Sequence, residues 1–212
     1  MPNQFYASRV DAPAYVSIEV FSAPWGITAV ATHGRGTPED DFAGKLLVAA
    51  VERAARAAAG PLPSQTWDDL LHDTDLLLGA RRPAASLGAA VLTISPTAIG
   101  GVAVGGLKAV LVSNGASADV VAPEPAGTTG FGSGLAAPVR FDHPRENGML
   151  IVGAAELLDA LTDDEIRRAG SYDHPGAAVD FVVNRASPRA PAARALGVLA
   201  ARLAPPGAAA AP

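Results

Sequence analysis

Met149-Leu150-Ile151-Val152-Gly153-Ala154-Ala155-Glu156-Leu157-Leu158-Asp159-Ala160-Leu161-Thr162-Asp163-Asp164-Glu165-Ile166 is the stretch on which the fold turns. Met149–Gly153 reads as a strand, and Ala154–Leu161 and Thr162–Ala169 read as helices directly behind it. Thr162 is placed to cap the second helix, with three acids in its first turn, where the helix dipole favours negative charge. Downstream, Ala177–Ala186 is helical in pattern, and Leu196–Leu203 is read as a last strand rather than a helix. Upstream lies a run of strands: Ala89–Ser95, Ala98–Val104, Lys108–Ser113, Asp119–Ala122 and Pro138–Asp142. Pro96-Thr97 and Asn114-Gly115 mark turns between them, the second a strong hairpin signal. Gly127–Gly134 reads as a Gly/Thr/Ser loop.

The N-terminal third has its own grammar. Ala14–Phe21 alternates β-branched and aromatic residues and reads as a strand. Pro24-Trp25-Gly26 is a turn, and Ile27–Thr32 a second strand. After the loop His33-Gly34-Arg35-Gly36, Thr37 or Pro38 opens a long helix running to Gly60, with Glu39, Asp40 and Asp41 in its first turn. A second helix, Trp67–Leu78, is capped by Ser64 or Thr66. Strands and helices come in blocks rather than alternating, which makes the chain α+β and disfavours a Rossmann-type sheet. Residues 1–13 are expected to form an arm or a loose first strand, 14–204 one domain, and 205–212 a disordered tail.

Composition narrows the function classes. The 212 residues are 49% hydrophobic, but no apolar run approaches the roughly 18 to 20 residues of a membrane helix. With no signal-peptide pattern at the N-terminus, a soluble, cytoplasmic protein without membrane association is expected. Absence of cysteine removes disulfides, thiol chemistry and Cys-based zinc sites. A net charge of −5, without a basic stripe interleaved with aromatics, argues against a nucleic-acid partner.

Four segments carry a family resemblance. Ala29-Val30-Ala31-Thr32-His33-Gly34-Arg35-Gly36 is similar to a strand ending in Asp-Gly-His-Gly-Gly, and Val102–Leu111 with Asn114-Gly115 to a Val-Gly-Asp-Ser-Arg-Ala hairpin. Met149–Ile166 is similar to a strand–Ser-Asp-Gly–helix segment, and Ser187–Arg202, more weakly, to a final Asp-Asn-X-Thr strand. In that order they resemble the type-2C protein phosphatases and their shorter bacterial relatives. The resemblance implies a two-sheet antiparallel β-sandwich flanked by helix pairs. It also implies an active site in which aspartates at one end of the sandwich hold a pair of Mg²⁺ or Mn²⁺ ions. On this match Thr32, Gly106 and Ala155 stand where ligand aspartates belong, and the fourth segment contains no acid.

Hard divalent ions need carboxylate oxygen, which none of the three supplies, so no metal and no other cofactor is expected. Asp40, Asp41, Asp68, Asp69, Asp73 and Asp75 read as helix first turns or solvated helix faces, hence not as replacement ligands. Asp142-His143 and Asp173-His174 are adjacent pairs, poor chelates on a strand whose neighbours point to opposite faces. The loop His33–Gly36 is the first place to seek surviving function: a titratable His, an Arg and glycines at a helix start suit an anion. Trp25 is a candidate to line the same mouth. The expectation is a pseudophosphatase that binds a small-molecule or protein ligand in the vacated cleft, at Trp25, Thr32, His33, Arg35, Gly106 and Ala155. Its rival is a repurposed, metal-independent enzyme of a specialised biosynthetic pathway; a homodimerisation module is a third option.

Overall fold

The computed structural model describes residues 4–9, 16–81, 85–121, 130–190 and 197–203. Among the described residues ten strands form two antiparallel five-stranded sheets. One sheet has β2 (Val16–Ala23), β3 (Gly26–His33), β4 (Gly88–Ile94), β5 (Ala98–Val104) and β8 (Val139–Pro144), in the order β2-β3-β4-β5-β8. The other has β1 (Gln4–Arg9), β6 (Leu107–Ser113), β7 (Ala116–Val121), β9 (Gly148–Ala154) and β10 (Gly197–Leu203), in the order β1-β10-β9-β6-β7. Within the N-terminal stretch expected as an arm or loose strand, Gln4–Arg9 pairs along β10, from Gln4 opposite Arg202 to Arg9 opposite Gly197. The expected tail, 205–212, and residues 127–129 of the expected loop lie outside the described residues.

Strand alternation sorts the apolar residues into three layers. Ala29, Ala90, Leu92, Ile99, Leu111, Leu150 and Leu199 meet between the sheets. Val30, Val91 and Val102 point the other way and pack under α1 (Pro38–Ala57) and α2 (Ser64–Arg81), where Leu47, Val51, Trp67 and Leu71 are fully buried. Val110, Ile151 and Ala200 meet α3 (Ala155–Asp159), α4 (Asp163–Gly170) and α5 (Pro175–Ala186) on the opposite outer face. The expected α+β sandwich with helices on both faces is therefore the observed architecture, and Leu196–Leu203 ends in strand as read.

Two local readings change. Ser64 is the first residue of α2, and its hydroxyl donates to Asp142 Oδ2 at 2.7 Å rather than capping the helix. The segment Trp67–Leu78 extends to Ser64–Arg81, and its Trp67 indole donates to Thr93 Oγ1 at 2.7 Å. The Asn114-Gly115 hairpin forms where the sequence signals it: φ of 51° and 77° give the two left-handed positions that tight strand turns favour.

Candidate functional site

The chain passes from one sheet to the other at Gly105-Gly106, whose φ values of 72° and 79° suit residues without a Cβ. The Gly106 carbonyl accepts from the Ala155 amide at 2.8 Å, so the start of α3 rests on this turn. On β3, alternation puts Ala29 in the inter-sheet layer and Val30 in the helix-facing layer. His33 therefore emerges on the inter-sheet side, opposite Gly88 of β4. Its Nε2 occupies the space a Cβ on Gly88 would need, and the Gly105 carbonyl, 2.7 Å from that same point, accepts a hydrogen bond from the ring. Nε2 is sealed from solvent without a partner. Burial pushes the imidazole below its ordinary range, against a smaller upward pull from the Glu156 charge and the Gly105 carbonyl.

Of the six residues singled out from sequence, His33, Gly106 and Ala155 come together at this mouth. Gly88, Gly105 and Glu156 join them without having been singled out. Glu156 has a signal in the sequence, as the acid immediately after Ala155; Gly88 has none, because only the fold sets it across from His33. Thr32 does not line the mouth: it faces the helix layer with Val30, is 0% exposed, and its hydroxyl has no partner.

Trp25 is also misplaced by the sequence reading. It sits in the β2–β3 turn, at the opposite end of the eight-residue β3 from His33, roughly 25 Å away at strand rise. There its indole donates to the Ala58 carbonyl at 3.2 Å, beyond the last turn of α1.

Arg35 has an exposed side chain, and its backbone amide donates to Asp40 Oδ2 at 2.9 Å. Asp40 is 0% exposed and also accepts from the amides of Thr37 and Ser86, each at 3.3 Å. Thr37 Oγ1 accepts in return from the Asp40 amide at 3.1 Å, completing a capping box. The anion-binding reading of His33–Gly36 is corrected by this arrangement. The loop amides already face a carboxylate belonging to the chain itself, and His33 is biased toward its neutral form.

A pair of hard divalent ions does not fit these residues. Among the described residues no three His, Asp or Glu side chains converge on a point that could hold a metal ion. Asp75, expected on a solvated helix face, is instead buried, accepting from the amides of Gly132 at 2.5 Å and Ala136 at 2.9 Å. His143 Nδ1 donates to the Pro144 carbonyl at 2.7 Å while Asp142 takes Ser64, so that pair diverges. His174 Nδ1 accepts from the Gly176 amide at 3.1 Å and caps α5, its neighbour Asp173 standing exposed.

No protein-family model and no curated protein sequence matches the chain. Solved structures do. The Mycobacterium tuberculosis serine/threonine phosphatase PstP/Ppp superposes with a TM-score of 0.75 at 11% identity, over 95% of this chain and 98% of that one. Stp1 from Staphylococcus aureus gives 0.74 at 12%, over 95% and 94%, and the S. agalactiae serine/threonine phosphatase 0.76 at 13%, over 96% and 100%. A further match, the catalytic domain of PstP, was solved with two manganese ions (TM-score 0.73, 12% identity, covering 94% of this chain and 97% of that one). At these identities the likeness is one of architecture: the chain has the α+β sandwich fold of the bacterial serine/threonine phosphatases.

Proposed function

We propose that this chain is a pseudophosphatase, a phosphatase-type sandwich used for binding rather than for two-metal hydrolysis. The observation that carries the reading is the chemistry of the mouth. Gly106 and Ala155 offer no side-chain oxygen, Thr32 faces away, and the described acid whose charge reaches the His33 imidazole is Glu156, beside a ring that burial biases toward its neutral form. Hydrolysis by metal-activated water needs several carboxylates to hold the ions and lower the water's pKa. The mouth instead presents glycine backbone, a small apolar side chain and one carboxylate, which suits a small-molecule or protein ligand. Binding is favoured over repurposed catalysis because the one candidate base, His33 Nε2, is sealed against Gly88 and cannot touch a bound molecule without moving.

The test is hydrolysis of p-nitrophenyl phosphate with and without Mn²⁺, beside the apparent melting temperature in the same buffers. We expect no Mn²⁺-dependent turnover and no Mn²⁺-dependent rise in melting temperature. Turnover that a chelator abolishes would overturn the reading.

A further inference from the structure

Among the described residues each sheet leaves two edges, and the four edge strands are unequally protected against pairing with another chain. β7 meets β6 through a register shift at Ala109/Val110. β8 carries Arg140 and Asp142, both tied to α2, and ends in Pro144. β2 has eight residues where β1, β7 and β8 have six, and its sequence VSIEVFSA contains no Pro, Lys or Arg. Its register with β3 is unbroken, from Val16 opposite His33 to Ala23 opposite Gly26. Val20, at its middle, is 36% exposed, whereas Ile18 and Phe21 are partly buried against the two core layers.

Alternation fixes which backbone groups of β2 face outward. Ser95 N donates to the Ala98 carbonyl at 2.9 Å and Arg145 N to the Thr97 carbonyl at 2.9 Å, so odd-numbered residues of β4 bond to β5. Even-numbered residues of β4 therefore bond to β3, where Leu92 lies opposite Ala29 and Ile94 opposite Ile27. Thr28, Val30 and Thr32 in turn bond to Phe21, Glu19 and Ser17. That leaves the amides and carbonyls of Ile18, Val20 and Ser22 directed away from the sheet. We propose that β2 is a homodimerisation edge, pairing antiparallel with β2 of a second copy about a two-fold axis at Val20 and joining the two sheets into one. Such an axis sets like-facing residues opposite each other, hence even-numbered opposite even-numbered. Centred on Val20, it brings Ile18 opposite Ser22 and Glu19 opposite Phe21, and the exposed Val20 side chains cover each other. Centred on Glu19, it would set two carboxylates directly opposite, which is unfavourable. A second copy is the partner because the strand complements itself: its one charge meets an aromatic ring and its exposed valine meets its own image. His33 lies opposite Val16, at one end of β2, so the axis puts the two mouths at opposite ends of the joint, and neither is covered. The dimer rests on the edge alone and stands or falls independently of the binding reading given above.

Light scattering of the whole chain over about a hundredfold range of concentration should show a monomer–dimer equilibrium. Val20→Pro removes an outward amide and leaves the β2–β3 ladder its hydrogen bonds. Self-association should weaken roughly thirtyfold through the two symmetry-related bonds it deletes. The chain has no cysteine, so single-cysteine variants report on one position each. Across the axis the two Val20 Cα atoms stand about 5.5 Å apart, within disulfide reach, and Val20→Cys should link rapidly under mild oxidation. Ser22→Cys should not, since Ser22 faces Ile18 of the other copy and the two Ser22 residues lie roughly 14 Å apart along the strands. Three results would overturn the proposal: a wild type that stays monomeric, a Val20→Pro protein that associates as well as wild type, or a Ser22→Cys protein that links as fast as Val20→Cys. Should Val20→Pro not fold, Val20→Lys takes its place, with the same loss expected and undiminished association again overturning the proposal.

Discussion

At the scale of single residues, the arrangement depends on a missing Cβ. Gly88 has no side chain and no unusual turn to mark it, yet a methyl there would collide with His33 Nε2 and come within 2.7 Å of the Gly105 carbonyl. Gly88→Ala should cost about 1–3 kcal/mol in urea unfolding, with the loss shrinking when His33 is also reduced to Ala. A second comparison separates the two neighbours on β3. Thr32→Asp would bury a carboxylate in an apolar layer, and a loss of more than ~3 kcal/mol is expected. Gly106→Asp meets nothing within 4 Å and should cost only the ~1–2 kcal/mol of a left-handed non-glycine residue. Equal losses for the two would show that Thr32 faces open space after all. The sequence makes the alternation along Ile27–His33 plain, but not which face meets the other sheet. The motif match therefore places Thr32 and His33 together at the mouth, and only the fold separates them.

At the scale of elements, the acids divide by what they hold. Those opening α1 and α4 are legible as helix starts, because a cap and its partners lie within three or four residues. Asp75 is not, since the amides it accepts from are 57 and 61 residues away. Its carboxylate fastens the Gly132–Ala136 segment onto α2, where Gly79 and Gly134 are in backbone contact. Asp75→Ala should therefore cost ~2–4 kcal/mol, leaving two amides without acceptors. Faster hydrogen exchange at residues 130–136 with α5 unaffected would be the matching local signature. Trp25 escapes the sequence reading for the same reason as Asp75: its partner Ala58 is 33 residues distant, and sequence spacing carries no such information.

At the scale of the whole molecule, the blocks of strands and helices and the four matching segments are enough to find the architecture. The layered core then follows from alternation alone. Stability against pH draws on both faces. His33, held below its ordinary 6.5, contributes stability that is complete above pH 6.5 and is lost as pH falls through that value toward the lower folded one. Glu165 is held down to about 2, first by Arg189, whose guanidinium approaches at 2.6 Å, and then by the Thr162 amide of the capping box. Its contribution is present above the ordinary carboxylate value near 4.5 and disappears as pH falls from there toward 2. Urea unfolding across pH should thus show two separate declines, with Arg189→Ala removing only the more acidic one.

The pairing of β1 with β10 has a mechanical consequence. Gln4, at the start of β1, lies opposite Arg202, next to the last residue of β10, and the ladder runs from there to Arg9 and Gly197. Tension applied outward at Gln4 and Leu203 would load that ladder at one end only. Its rungs would break in succession, like a strip being peeled, instead of sharing the load in shear. The sandwich should therefore yield at its β1 edge under low force, while the sheet holding β3, β4 and the mouth stays intact.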